Sequence, residues 1–101
     1  MIARTWHGIT DADRADAYLA YLNETGVQEL QATPGNQGVY VLRRIEDDTA
    51  RFLLISLWAS REAIARFAGA EIEVARYYPE DRDYLHELEP TVTHYEVMVR
   101  P

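Results

Sequence analysis

Two histidines, His7 and His94, are the side chains in this sequence best suited to moving a proton near neutral pH. Each lies in a stretch that reads as β-strand, one near the start of the chain (Ile2 to Ile9) and one near its end (Thr91 to Arg100). If these strands are antiparallel neighbours with their ends aligned, the two imidazoles stand opposite each other. In a shared apolar cleft both pKa values would be depressed, and the pair could serve as a catalytic base and a hydrogen-bond partner for a phenol. Trp58, Phe67, Tyr77 and Tyr78 are the aromatic residues expected to shape that cleft, with the tyrosine hydroxyls at its mouth facing a quinone-like substrate. Plainer readings compete with this one. A histidine near a strand end also caps backbone groups or sits in water. Burying a tryptophan such as Trp6 or Trp58 contributes roughly 2–3 kcal/mol without any further role.

Other chemistries find less support. His7, His94 and Glu96 lack the spacing of a metal motif, and with no cysteine there is neither a thiolate site nor a disulfide, so no metal is expected. Gly35 and Gly38 precede no helix start, and the chain has no lysine, which removes a phosphate loop. No cofactor motif is present. Arg43, Arg44 and Arg51 are expected to pair in solvent with Glu46, Asp47 and Asp48, and the acidic run from Glu80 to Asp83 reads as a solvated connection.

The elements that would position these residues are organised around Arg51 to Ala70. Phe52 to Trp58, FLLISLW, is too apolar to have one wet face and reads as the middle strand of a sheet. Ser60 offers an N-cap to a helix starting at Arg61, with Ile64, Phe67 and Ala68 on its apolar side. Upstream, alternation puts Ile2, Arg4, Trp6 and Gly8 on one face of the first strand and Ala3, Thr5, His7 and Ile9 on the other. Thr10 is a plausible cap for a helix carrying Ala12, Ala15, Tyr18, Leu19 and Leu22, which Gly26 is expected to end. Pro34-Gly35-Asn36 is a turn, Gly38 to Ile45 a second strand, and Glu46 to Thr49 a hairpin. Glu71 to Tyr77 reads as a short helical segment stopped by Pro79. The order βαββαβ predicts an α+β ferredoxin-like antiparallel sheet with the first and third strands central and helices on one face. An identical partner sheet is the simplest cover for the other face, which predicts a homodimer through sheet packing.

The 101 residues fit one domain spanning 1–101, 48% hydrophobic and 11% aromatic. A net charge of −7, from 17 acidic and 10 basic residues, disfavours nucleic acid and anionic membrane as partners. A strand beginning at Ile2 and the lack of a long apolar run predict a cytoplasmic protein.

The stretches ARTWHG, LLISLWASREAIARFAG and HYEV resemble the antibiotic biosynthesis monooxygenase-like domains of the dimeric α+β barrel superfamily. The resemblance covers nearly the whole chain and rests on a strand ending in Trp-x-Ser followed by Glu-Ala and a helix. It implies a homodimer of packed sheets with a pocket between each sheet and its own helices. It also implies, as the leading activity, a cofactor-independent monooxygenase in which His7 deprotonates a phenolic, quinol or anthrone-like aromatic that then reacts with O2. His94 would orient the base or the substrate oxygen. The alternative is a ligand-binding or structural dimer without turnover, with a haem-binding protein third. The haem-degrading branch uses an asparagine, a tryptophan and a histidine at positions that correspond here to His7, Phe67 and Tyr77, and all three differ.

Overall fold

The computed structural model describes residues 1–101. Four strands form one antiparallel sheet: β1 (Ile2–Asp11), β2 (Asn36–Glu46), β3 (Thr49–Trp58) and β4 (Thr93–Glu96), in the order β2-β3-β1-β4. The first and third strands are central, and the helices lie on one face. The fold is the expected ferredoxin-like α+β arrangement.

Along β1 the alternation reads directly as structure, with Arg4, Trp6, Gly8 and Thr10 buried under the helices and His7 half-exposed on the other side. β3 sends Ala50, Phe52, Ser56 and Trp58 into the core. Its other face carries Leu53, Ile55 and Leu57, aligned with Thr5 and His7 of β1 and Tyr40 and Leu42 of β2. β2 and β3 are joined through Asp47 and Asp48, with Asp47 at a φ of 54° closing the tight turn. Around it Arg44 and Arg51 pair with Glu46, whereas Arg43 reaches Asp16 instead of the hairpin.

The first helical region differs from expectation at both ends. Thr10 stays in β1 with its hydroxyl on the Asp11 carbonyl, and a 3-10 turn (Ala12–Arg14) leads into α1 (Ala15–Leu22). Gly26 does not end the helix. A π-helical turn (Asn23–Val27) carries the chain on into α2 (Gln28–Ala32), and Gly26 lies within it without the positive φ of a C-cap glycine. α3 (Arg61–Ala68) starts as expected, with Ser60 Oγ accepting from the Ala63 N–H at 3.2 Å, and stops at Gly69, whose φ is 86°.

The expected helix from Glu71 to Tyr77 is absent. That segment makes a turn closed by Val74 N–H on the Glu71 carbonyl and then runs alongside the 90–92 stretch, with Val92 N–H on the Glu73 carbonyl at 2.8 Å and Ala75 N–H on that of Pro90 at 2.9 Å. A four-residue helix, α4 (Asp81–Tyr84), follows. β4 is shorter than the alternation of Thr91 to Arg100 predicted, and it pairs only with Ile2 to Thr5. Beyond Thr5 the edge of β1 is covered by the 85–92 stretch, with His86 N–H on the Ile9 carbonyl.

Candidate functional site

A cleft opens between the helix-facing side of the sheet and the covering elements. β1 supplies Arg4 and Trp6 to its floor, β3 supplies Leu54, and α1 supplies Tyr18 and Leu22. Gly26, Leu30 and Phe67 contribute from the helices, and Arg76, Tyr77, Tyr78 and Asp81 close it from the 69–81 segment. The lining atoms enclose about 420 Å³ when the open mouth is counted, yet only about 30 Å³ admits the centre of a water molecule. Closed in this way the cleft has room for a water or two.

Its walls are apolar and aromatic, but two buried charges stand in them. Arg4 is 5% exposed and Asp81 3%, and neither forms an ion pair. The Asp81 carboxylate accepts from Tyr18 Oη at 2.9 Å and from the Tyr78 N–H at 2.6 Å. Those bonds favour the charged form, but burial outweighs them and holds its pKa above the usual carboxylate range. Burial, followed by the charge and hydrogen bond of Asp81, pushes the Tyr18 phenol well up. Burial pulls the Arg4 pKa down to about 10, which leaves it cationic at neutral pH. Its guanidinium lies 5.5 Å from the Phe67 ring centre, and Arg76 is 4.9 Å from the same ring.

The closing segment is tied at two points. Tyr77 Oη donates to the Glu89 carbonyl at 2.6 Å and accepts from Trp6 Nε1 at 3.0 Å. Trp6 reaches it by running its indole over Gly8, where an added Cβ would stand 2.4 Å from the ring. Tyr78 Oη donates to Glu29 of α2, and Arg76 Nη2 pairs with the same carboxylate at 2.8 Å. Burial and the Glu29 bond raise the Tyr78 phenol, while the Tyr78 bond and Arg76 hold Glu29 below the usual range.

Of the residues singled out in the sequence, Phe67, Tyr77 and Tyr78 line this cleft. Trp58 does not: it is fully buried beside α3 among Leu30, Ala63 and Ile64, with Nε1 on Ser56 Oγ at 2.8 Å. The facing histidine pair does not form. The β1–β4 register sets His94 opposite Arg4, three residues away from His7, so the two imidazoles occupy opposite faces of the sheet. His7 lies on the helix-free face, with Nδ1 2.8 Å from Glu89. His94 is on the helix side, outside the cleft lining, with Nε2 buried and unpartnered; burial, then Arg4, depresses its pKa. Asp81 was hidden within an acidic run read as solvated. Alternation groups Arg4 with Trp6 and Gly8, but the cleft is expected on the His7 side; the structure turns the Arg4 side inward instead.

Residues 9–72, well over half of the chain, match the sequence profile of the antibiotic biosynthesis monooxygenase family. No protein of curated function matches the sequence. Among solved structures, a Nitrosomonas europaea protein provisionally described as an antibiotic biosynthesis monooxygenase is similar, with a TM-score of 0.68 and 17% identity over 98% of this chain and 100% of that one. One from Bacillus cereus with the same provisional description gives a TM-score of 0.69 at 14% identity, covering 99% and 95%. The heme-degrader MhuD from Mycobacterium tuberculosis, solved with two hemes in its active site, gives 0.62 at 18%, covering 100% and 99%. At such identities these likenesses speak to the fold. The profile match speaks to descent, and the chain belongs to the antibiotic biosynthesis monooxygenase family.

Proposed function

We propose that this protein is a cofactor-independent monooxygenase that oxidises a planar phenolic, quinol or anthrone-like aromatic in the cleft between its sheet and helices. The observation that carries this reading is Asp81, a carboxylate buried in an aromatic-walled cleft and held above its ordinary pKa. A base whose pKa rises toward the working pH is matched to taking a proton from a weak carbon or phenolic acid. Asp81 replaces His7 in that role, since His7 lies across the sheet. The resulting carbanion or phenolate gives one electron to O2. Recombination of the organic radical with superoxide forms a C–O bond, and the hydroperoxide takes up the proton. Loss of water from it leaves the carbonyl, so that one CH2 and one O2 become one C=O and one H2O. Arg4, cationic and in the wall of the same cleft, stabilises the anionic form of the substrate.

Haem chemistry finds no matching donor in the cleft. Tyr77, at the position that corresponds to the histidine of the haem-degrading branch, has its oxygen engaged by Trp6 and Glu89, and His7 is on the far side of the sheet. We also propose that the helix-free face pairs with a second copy of the chain.

Oxygen uptake with a panel of anthrones and dihydroxynaphthalenes tests the reading. Wild-type protein is expected to consume one O2 per substrate oxidised, and Asp81→Asn to slow this about 10²–10⁴-fold. Binding without uptake across the panel, or an unimpaired Asp81→Asn, overturns it in favour of a binding protein.

A further inference from the structure

Arg4 is the one buried cation of the chain. A charge taken out of water is costly unless it is paired and its N–H groups are bonded. Arg4 is neither. Its only protein acceptor is the Val74 carbonyl, 3.1 Å from Nη2, and Nε is buried with no partner. No carboxylate forms an ion pair with it. Glu29 is taken by Arg76 and Tyr78, and Asp81 by Tyr18 and the Tyr78 N–H. His94, directly across from Arg4 in the β1–β4 pairing, is held neutral by burial and by Arg4 itself and cannot supply a negative charge. The face of the guanidinium is packed on Phe67, and Nε is left as a buried donor without a partner in a residue that lines the cleft. Of the two guanidiniums that converge on the Phe67 ring, Arg76 is paired with Glu29 and Arg4 is not.

From this geometry we infer that the ligand of the cleft is an aromatic acid, whose ring lies against Phe67, Tyr77 and Tyr78 and whose carboxylate is gripped by the Nε edge of Arg4. An arginine meets a carboxylate through two parallel N–H···O bonds, and a phenol lacking the acid leaves Arg4 as poorly satisfied as it is in the free protein. The inference deepens the proposed function by naming the class of substrate, and it rests on the same cleft being the binding site. Because it concerns binding, it stands or falls independently of oxygen uptake.

The probes are 1-hydroxy-2-naphthoate and 1-naphthol, which differ only by the carboxylate, titrated into the full-length protein by fluorescence at pH 7. Wild-type protein is expected to bind the naphthoate about ten- to a hundredfold more tightly, the range that charge-assisted hydrogen bonds of a buried donor give. Arg4→Lys keeps the charge but loses the fork, and should retain only part of that preference; Arg4→Met should abolish it. In wild-type protein labelled with ¹⁵N, the Arg4 Nε–H resonance should move downfield on adding the naphthoate and stay in place with 1-naphthol. This readout holds even if neither variant folds. Equal affinities for the two probes in the wild type, an unmoved Nε–H resonance, or a preference that survives in Arg4→Met overturns the inference.

Discussion

Asp81 is a single side chain whose burial carries a cost in stability near neutral pH. Below about pH 4, the ordinary carboxylate range, it is protonated in both folded and unfolded chains. As pH rises through that range the unfolded chain ionises first, while the folded one holds its proton longer. The stability this group contributes is therefore fully present at low pH and is lost as pH rises through the folded-state pKa. Asp81→Asn cannot ionise and lacks this slope. Its melting temperature relative to wild type should be higher at pH 7 than at pH 4 by a few degrees, since about 1 kcal/mol moves a domain of this size by roughly 4–8 °C. Parallel thermal melts at the two pH values check this, and an unchanged difference would mean that the carboxylate is not desolvated. Nothing in the order of residues announces Asp81. One acidic residue among Glu80, Asp81, Arg82 and Asp83 is buried because Tyr18, far away in sequence, meets it across the cleft. For Arg4, period-two alternation along β1 gives its companions, Trp6 and Gly8, but not which side faces the helices; that is settled only when the helices pack.

At the level of elements, local rules succeeded where local physics decides. The Ser60 cap, the Pro34-Gly35 turn and the two-residue hairpin are short-range features, and each formed where the residue types demanded. Gly26 failed as a stop because its backbone stays helical through the π-turn and never takes the left-handed conformation that a cap needs. The β4 register failed because the 85–92 stretch takes the outer part of β1's edge, something only the whole fold reveals. The same class of long-range contact governs access to the cleft. With about 30 Å³ open to water, a bicyclic ring needs the cleft to widen, and we propose that it does so at the 69–80 segment, which Glu29 latches to α2. Glu29→Gln should raise the association rate of 1-hydroxy-2-naphthoate several-fold in stopped-flow fluorescence. It should cost under about 1 kcal/mol, because the pair is partly exposed. Because its pKa is held low, the latch keeps its stabilisation at and above the ordinary carboxylate range and loses it as pH falls through the folded-state pKa, so acid should speed association in the same way. An association rate that neither change alters would place the moving part elsewhere.

For the whole molecule, the question is what covers the helix-free face. Tyr40, Leu42, Ile55 and Leu57 form a patch there with Leu53 and Tyr95, and Tyr40 and Tyr95 are more than half exposed at 56% and 59%. A continuous apolar surface across four strands is unusual for an isolated small domain. A second copy supplies a surface of the same shape and chemistry by two-fold symmetry, which a closed pair requires and an unrelated partner does not guarantee. The His7–Glu89 hydrogen bond lies on this face, at the same Glu89 whose carbonyl holds Tyr77 over the cleft. Sheet pairing would thus steady the segment that closes each cleft from behind. Leu42→Glu with Leu53→Glu places two charges at opposed positions in the middle of the patch. Sedimentation should find wild-type protein at twice 11.6 kDa and the double variant at 11.6 kDa. If the face only packs, the variant should keep its helical circular dichroism but bind 1-hydroxy-2-naphthoate several-fold more weakly, because the Tyr77 wall loses its support. A wild-type particle of 11.6 kDa at micromolar concentration would show that the bare sheet is tolerated alone and that each cleft is closed by its own chain.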